Sequence, residues 1–185
     1  MIKKILLPII FFLFLFNVHG QDSRYGMRLG ANLSSISSDD IAEDLDDSRI
    51  GVVVGFFAEY ALTNRIGIQP ELQFSSEGNK EDDLRINYLQ LPILFKYNFN
   101  EIVNIQLGPQ AGLKIWEWED DGIVEDNFNT FNFAAVGGIG FNINDNFFID
   151  ARYIYGLTNV YEDEGAQTGF EGNTTNIQLS FGYRL

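Results

Sequence analysis

The chain has 185 residues, one domain's worth, with 26 acidic against 12 basic residues and a net charge of −14. Such a surface repels nucleic-acid phosphates, so no nucleic-acid partner is expected. The absence of cysteine excludes a disulfide-stapled scaffold and thiol catalysis.

The first element is residues 1–20, read as a secretory signal peptide. Lys3 and Lys4 form a positive start, Ile5–Phe16 an apolar run, and Val18 and Gly20 a small-residue cleavage site. The run is too short for a typical membrane helix. Cleavage leaves residues 21–185 as one domain, with 10 basic residues against 26 acidic ones. The only histidine, His19, leaves with the leader. The domain then lacks the usual general base and commonest metal ligand, so no catalytic residues and no cofactor are assigned.

Eight strands follow, each marked by period-2 alternation that sends successive side chains to opposite faces. They are Tyr25–Ser34, Ile50–Leu62, Ile66–Ser75, Leu84–Tyr97, Val103–Ile115, Thr130–Asn142, Phe147–Leu157 and Thr175–Leu185. The fourth is the clearest: Leu89, Leu91, Ile93, Phe95 and Tyr97 share one face, and Tyr88, Gln90, Pro92, Leu94 and Lys96 share the other. Pro70, Pro92 and Pro109 fall inside strands, where local bulges are expected.

Three connections are tight turns and four are long loops, in strict alternation: Ser35–Arg49, Ser76–Asp83, Trp116–Asn129 and Thr158–Thr174 are the long ones. The loops carry 20 of the 26 acidic residues, among them Glu77. This is the pattern of an eight-stranded antiparallel up-and-down transmembrane β-barrel with its two rims in different compartments. Aromatics near strand ends suit a girdle at the lipid interface: Tyr60, Phe74, Tyr97, Trp116, Trp118, Phe141, Phe147, Tyr155 and Tyr183. The polar faces carry Arg28, Glu59, Glu71, Lys96, Lys114, Asp150, Arg152 and Arg184, expected to cross-link inside the lumen. Eight strands leave room for little more than side chains, so a diffusion pore is not expected. Glu117, Glu119, Asp120, Asp121, Glu125 and Asp126 offer oxygens for a divalent cation such as Ca²⁺, although a solvated charged loop explains them as well.

Several segments resemble a known family. They are Gly67-x-Gln69-Pro70-Glu71-Leu72, Tyr88-Leu89-Gln90-Leu91-Pro92-Ile93-Leu94-x-Lys96-Tyr97, Gly108-Pro109-x-x-Gly112, Asp150-Ala151-Arg152-Tyr153 and Phe181-Gly182-Tyr183-Arg184-Leu185. Together they look like the PorT-like outer-membrane β-barrel family. That resemblance implies a barrel of the OmpA/OmpX type in the outer membrane, and it treats the in-strand prolines as family features. Some members serve protein secretion. Three functions stay open: a non-enzymatic surface protein with a structural, interaction or adhesion role through its acidic loops, an accessory subunit of a secretion or transport apparatus, and a soluble periplasmic ligand-binding barrel. The expected partners are outer-membrane lipid, divalent cations at the loops, and a secretion or surface protein. Mass spectrometry of the protein recovered from envelopes should find Gln21 at its N-terminus; a chain still carrying Met1 would mean an uncleaved anchor.

Overall fold

The computed structural model describes residues 23–38, 48–78, 85–118, 131–158 and 172–185. Eight strands are present: β1 (Ser23–Ser38), β2 (Arg49–Ala61), β3 (Ile66–Gly78), β4 (Arg85–Asn98), β5 (Val103–Trp118), β6 (Phe131–Asn142), β7 (Phe147–Gly156) and β8 (Gly172–Arg184). Each pairs antiparallel with the next, and β1 pairs with β8 from Gly26↔Arg184 to Ser38↔Gly172. The sheet is therefore a closed barrel in sequence order. Closure removes the unpaired edges that no open sheet can hide in lipid.

The three tight turns use one device. Thr63 Oγ1 accepts from the backbone N–H of Arg65 and Ile66, at 3.2 and 2.9 Å. Asn100 Oδ1 accepts from Ile102 and Val103 at 2.9 and 2.7 Å, and Asn144 Oδ1 from Asn146 and Phe147 at 3.0 and 2.8 Å. A short polar side chain thus takes up two turn donors that the ladder leaves over. These turns define one end of the barrel, and the four other connections lie at the opposite, loop end.

Alternation decides the faces. Leu29, Phe56, Leu107 and Leu179 point outward with 60%, 64%, 67% and 62% of their surface open. Between them Arg28, Gln69, Glu71, Gln106, Arg152 and Gln178 point inward and are buried. An apolar belt of this extent has no place in water. Against acyl chains it is satisfied, as in outer-membrane barrels. The soluble barrel with an apolar pocket required the reverse polarity and does not fit. Apolar side chains also enter the lumen in a patch of Leu94, Ala134, Val136 and Ile154.

Phe57 and Phe148 form a second inward apolar feature. Their rings meet edge to face at 5.5 Å. Each covers a glycine on the neighbouring strand, Gly26 beside Phe57 and Gly182 beside Phe148, where any Cβ would collide with the ring. Glycine is required there because the aromatic fills the place of its side chain.

Three sequence expectations need correction. No register shift occurs at the prolines; the one shift in the β4–β5 ladder is at Asn87/Tyr88. The ladder keeps its register past each proline and lapses beside it instead. Pairing skips Pro70 on the β2 side, Pro92 on the β3 side and Pro109 on the β4 side. On its other side each proline stays paired, with Ile93, Gln110 and Ala135 respectively. The missing N–H therefore costs local ladder contacts without displacing the chain. Second, β5 runs on to Trp118, so Trp116, Glu117 and Trp118 belong to a strand and not to a loop base. Third, Glu77 belongs to β3 and is buried in the lumen, not exposed on the rim.

Replacing Leu179 with Arg puts a charge on the lipid face near the middle of β8. Equilibrium unfolding in lipid vesicles should show a loss of about 2–4 kcal/mol; an unchanged stability would mean that this face does not meet lipid.

Candidate functional site

The lumen is the best-defined polar region, and it is built in tiers. The middle tier joins β1, β3 and β7. Arg28 donates through Nη1 to Glu71 Oε2 at 2.8 Å and through Nη2 to Asp150 Oδ1 at 2.7 Å and Ser180 Oγ at 2.6 Å. Arg152 meets Glu71 with both terminal nitrogens, at 2.8 and 2.7 Å, and donates through Nε to Gln106 Oε1 at 3.1 Å. Glu71 thereby receives two guanidinium groups, one of them in the bidentate geometry that suits carboxylates best. The quartet holds two positive and two negative charges. That balance is what a buried cluster requires, because an uncompensated ion in this medium costs several kcal/mol.

The lower tier lies toward the turn end. Lys96 Nζ sits 3.1 Å from Glu59 Oε2, and Arg184 Nε donates to the same oxygen at 3.3 Å. Arg184 also donates to Asn142 Oδ1 at 2.8 Å and stacks over Phe148, 4.5 Å from the ring centroid. Gln69 links the two tiers. It accepts from Lys96 at 3.0 Å and donates to Glu71 at 2.6 Å.

The upper tier is one that the sequence reading missed. Glu77 Oε1 accepts from Ser75 Oγ and Gln90 Nε2, both at 2.8 Å, and from Asn176 Nδ2 at 3.0 Å. Behind these, Asn32 donates to Ser75 at 2.7 Å and Gln73 to Gln90 at 2.8 Å. The signal was present: the inward set Gln69, Glu71, Gln73 and Ser75 continues at period 2 to Glu77. Gly78, with φ at 142°, marks where the regular strand conformation is left.

The residues singled out in the sequence separate accordingly. Arg28, Glu71, Asp150 and Arg152 come together in one cluster, and Glu59, Lys96 and Arg184 in another. Lys114 is half-buried on β5, in register with Tyr88. Of the aromatics, Phe147 stacks near Tyr183 and Phe181 at centroid distances of 5.0 and 5.5 Å, and Tyr97 meets Phe99 at 5.2 Å. Tyr60, Tyr97, Phe141, Phe147 and Tyr183 lie toward the turn end, and Phe74 and Tyr155 toward the loop end. The side chains of Trp116, Glu117 and Trp118 lie outside the described residues. So do Glu119, Asp120, Asp121, Glu125 and Asp126.

The side chains of the middle quartet have 0–1% of their surface open. A water-wide channel at this level would expose their polar atoms. The lumen is filled here, and its chemistry is internal neutralisation.

A family profile described as "Outer membrane protein beta-barrel domain" matches residues 19–162. The chain belongs to the outer membrane protein β-barrel family. Among solved structures it is similar to Neisserial surface protein A, with a TM-score of 0.60 and 14% identity, over 89% of this chain and 99% of that one. It is also similar to Ail, the attachment invasion locus protein of Yersinia pestis, with a TM-score of 0.56 and 19% identity, over 89% and 99% of the two chains. The structure of Ail in a phospholipid bilayer nanodisc aligns at 0.53 with 20% identity, over 89% and 100%. A search of the curated proteins gives no match. At these identities the likeness concerns the fold: an eight-stranded outer-membrane barrel set in lipid.

Glu71→Ala leaves two buried guanidinium groups sharing one carboxylate. It should cost about 3–5 kcal/mol in urea unfolding of the barrel in vesicles, while the exposed Glu101→Ala control should stay within about 0.5 kcal/mol. Equal effects would show that the quartet contributes nothing beyond packing.

Proposed function

We propose that this family member is a non-enzymatic surface protein of the outer membrane whose barrel is a closed anchor and whose loops make the contacts. The observation that carries this reading is the filled, charge-neutral middle of the lumen. It leaves transport no path at that level, so variable chemistry falls to the loop end. Residues 39–47, 79–84, 119–130 and 159–171 join the strands there and hold 18 of the 26 acidic residues. The fitting partner is a basic protein surface, with divalent cations as counter-ions. Ail is the attachment invasion locus protein of Yersinia pestis, and this supports an adhesive role for a barrel of this shape.

A second reading is an accessory subunit of a secretion apparatus, supported by the PorT-like motif on β4. There Tyr88, Pro92 and Lys96 all face the lumen and are buried. In both readings the leader is removed after Gly20, and the four loops lie outside with the termini in the periplasm.

Two measurements test the primary reading. Planar-bilayer recordings of the purified barrel should show no steady conductance. Binding of the nanodisc-embedded protein to a basic probe, polylysine, should weaken at least tenfold when Glu119, Asp120, Asp121, Glu125 and Asp126 become their amides. Steady, size-selective conductance would overturn the closed anchor. Reproducible cross-linking to secretion components in native membranes, with polylysine binding unaffected by the substitutions, would favour the second reading.

A further inference from the structure

Glu77 differs from the other buried carboxylates. Glu59, Glu71 and Asp150 each face Lys or Arg, whereas the hydrogen bonds described for Glu77 come from a hydroxyl and two neutral amides. Arg28 and Arg152, the cations of the tier below, are engaged by Glu71 and Asp150. Only 6% of Glu77 is open. A carboxylate held this way is stabilised by neutral hydroxyl and amide dipoles, a weaker arrangement than pairing with a positive charge.

A second, independent feature belongs to the same tier. Among the described residues, Asn32 Oδ1, Gln73 Oε1 and Asn176 Oδ1 are buried acceptors with no hydrogen-bond partner. Their residues are 2%, 1% and 3% exposed. Each spends its N–H₂ group on the chain of bonds that ends at Glu77 and leaves its oxygen over. Buried polar atoms are rarely left so, and an acceptor of this kind is satisfied either by a donor such as water or by a cation.

We propose that Glu77, Ser75, Gln90 and Asn176, backed by Asn32 and Gln73, bind a hard cation of the Ca²⁺ class in the loop-end half of the lumen. The donor set is oxygen only: one carboxylate, one hydroxyl and four side-chain amides. That suits a hard ion and offers nothing to a soft one. An amide turned by 180° exchanges its N–H₂ and oxygen with almost no change in shape. Turning Asn176, and Gln90 together with Gln73, would place two oxygens where N–H₂ groups now meet Glu77, with the freed Gln73 oxygen accepting from Gln90, and the cation would then bridge them to the carboxylate. Among the described residues no three acidic side chains converge, so this site is distinct from a carboxylate cage. With one formal charge it should bind in the weak range of extracellular modules, about 10⁻⁴–10⁻³ M. The acidic loops at the same end would raise the local cation concentration.

The test uses the whole mature barrel in nanodiscs, titrated with CaCl₂ and followed by the side-chain N–H₂ resonances of Gln90 and Asn176. The expected result is a saturable shift of both, weakened at least tenfold in E77Q, which keeps the volume and loses the charge. Equal shifts in E77Q, or shifts confined to residues 119–130, would place the ion on the loops and overturn the proposal. So would resonances that move with pH in calcium-free buffer and ignore CaCl₂, since the tier would then take a proton. A heat-dependent gel shift establishes that E77Q is folded. If it is not, the wild-type titration decides alone, and no saturable movement of Gln90 and Asn176 ends the idea.

Discussion

The pairing of Arg28 and Arg152 with Glu71 and Asp150 is the interaction on which the rest of the barrel depends. A closed ring of eight strands turns one face of every strand into a narrow interior that lipid cannot reach. The outward face must be apolar, so the inward face carries whatever polar chemistry the chain has. Four charges at 0–1% exposure tolerate that position because they cancel and because Ser180, Gln69 and Gln106 take up further hydrogen bonds. The quartet also ties β1, β3 and β7 across the lumen, which neighbouring-strand ladders cannot do.

From this constraint the remaining tiers follow. Phe57 and Phe148 lie over Gly26 and Gly182 and meet edge to face between the lower ion group and the middle one. Gln69 carries the hydrogen bonding past them, from Lys96 to Glu71. Toward the loop end Glu77 is met by a hydroxyl and two amides, whereas the carboxylates below it are met by guanidinium and ammonium groups. The proline positions fit the same economy. Each omits ladder contacts toward the preceding strand while the register holds, so the inward alternation is preserved past it.

Much of this was legible in the residues. Period-2 alternation with a polar face and an apolar face, and loops that alternate short and long, pointed to the closed eight-stranded barrel that is found. The ring-facing charges Arg28, Glu71, Asp150 and Arg152 were legible as inward-facing because parity along a strand is a local property. Which of them would meet was not legible. Arg28 and Asp150 are 122 residues apart, and their contact depends on β1 pairing with β8 and β8 with β7 at one particular register. Glu77 was misread because its neighbours Ser76 and Gly78 look like the start of a loop. The cue that β3 continues is a longer run of the same alternation.

The sequence by itself determined the strand count, the faces and the membrane environment. Those rest on side-chain parity and hydropathy, which each strand carries independently. Only the tertiary structure decided the pairing of charges, the aromatic cover over two glycines and the burial of Glu77. Those depend on the relative stagger of strands far apart in the chain. Stagger is set by closure of the whole ring, and no single strand contains that information.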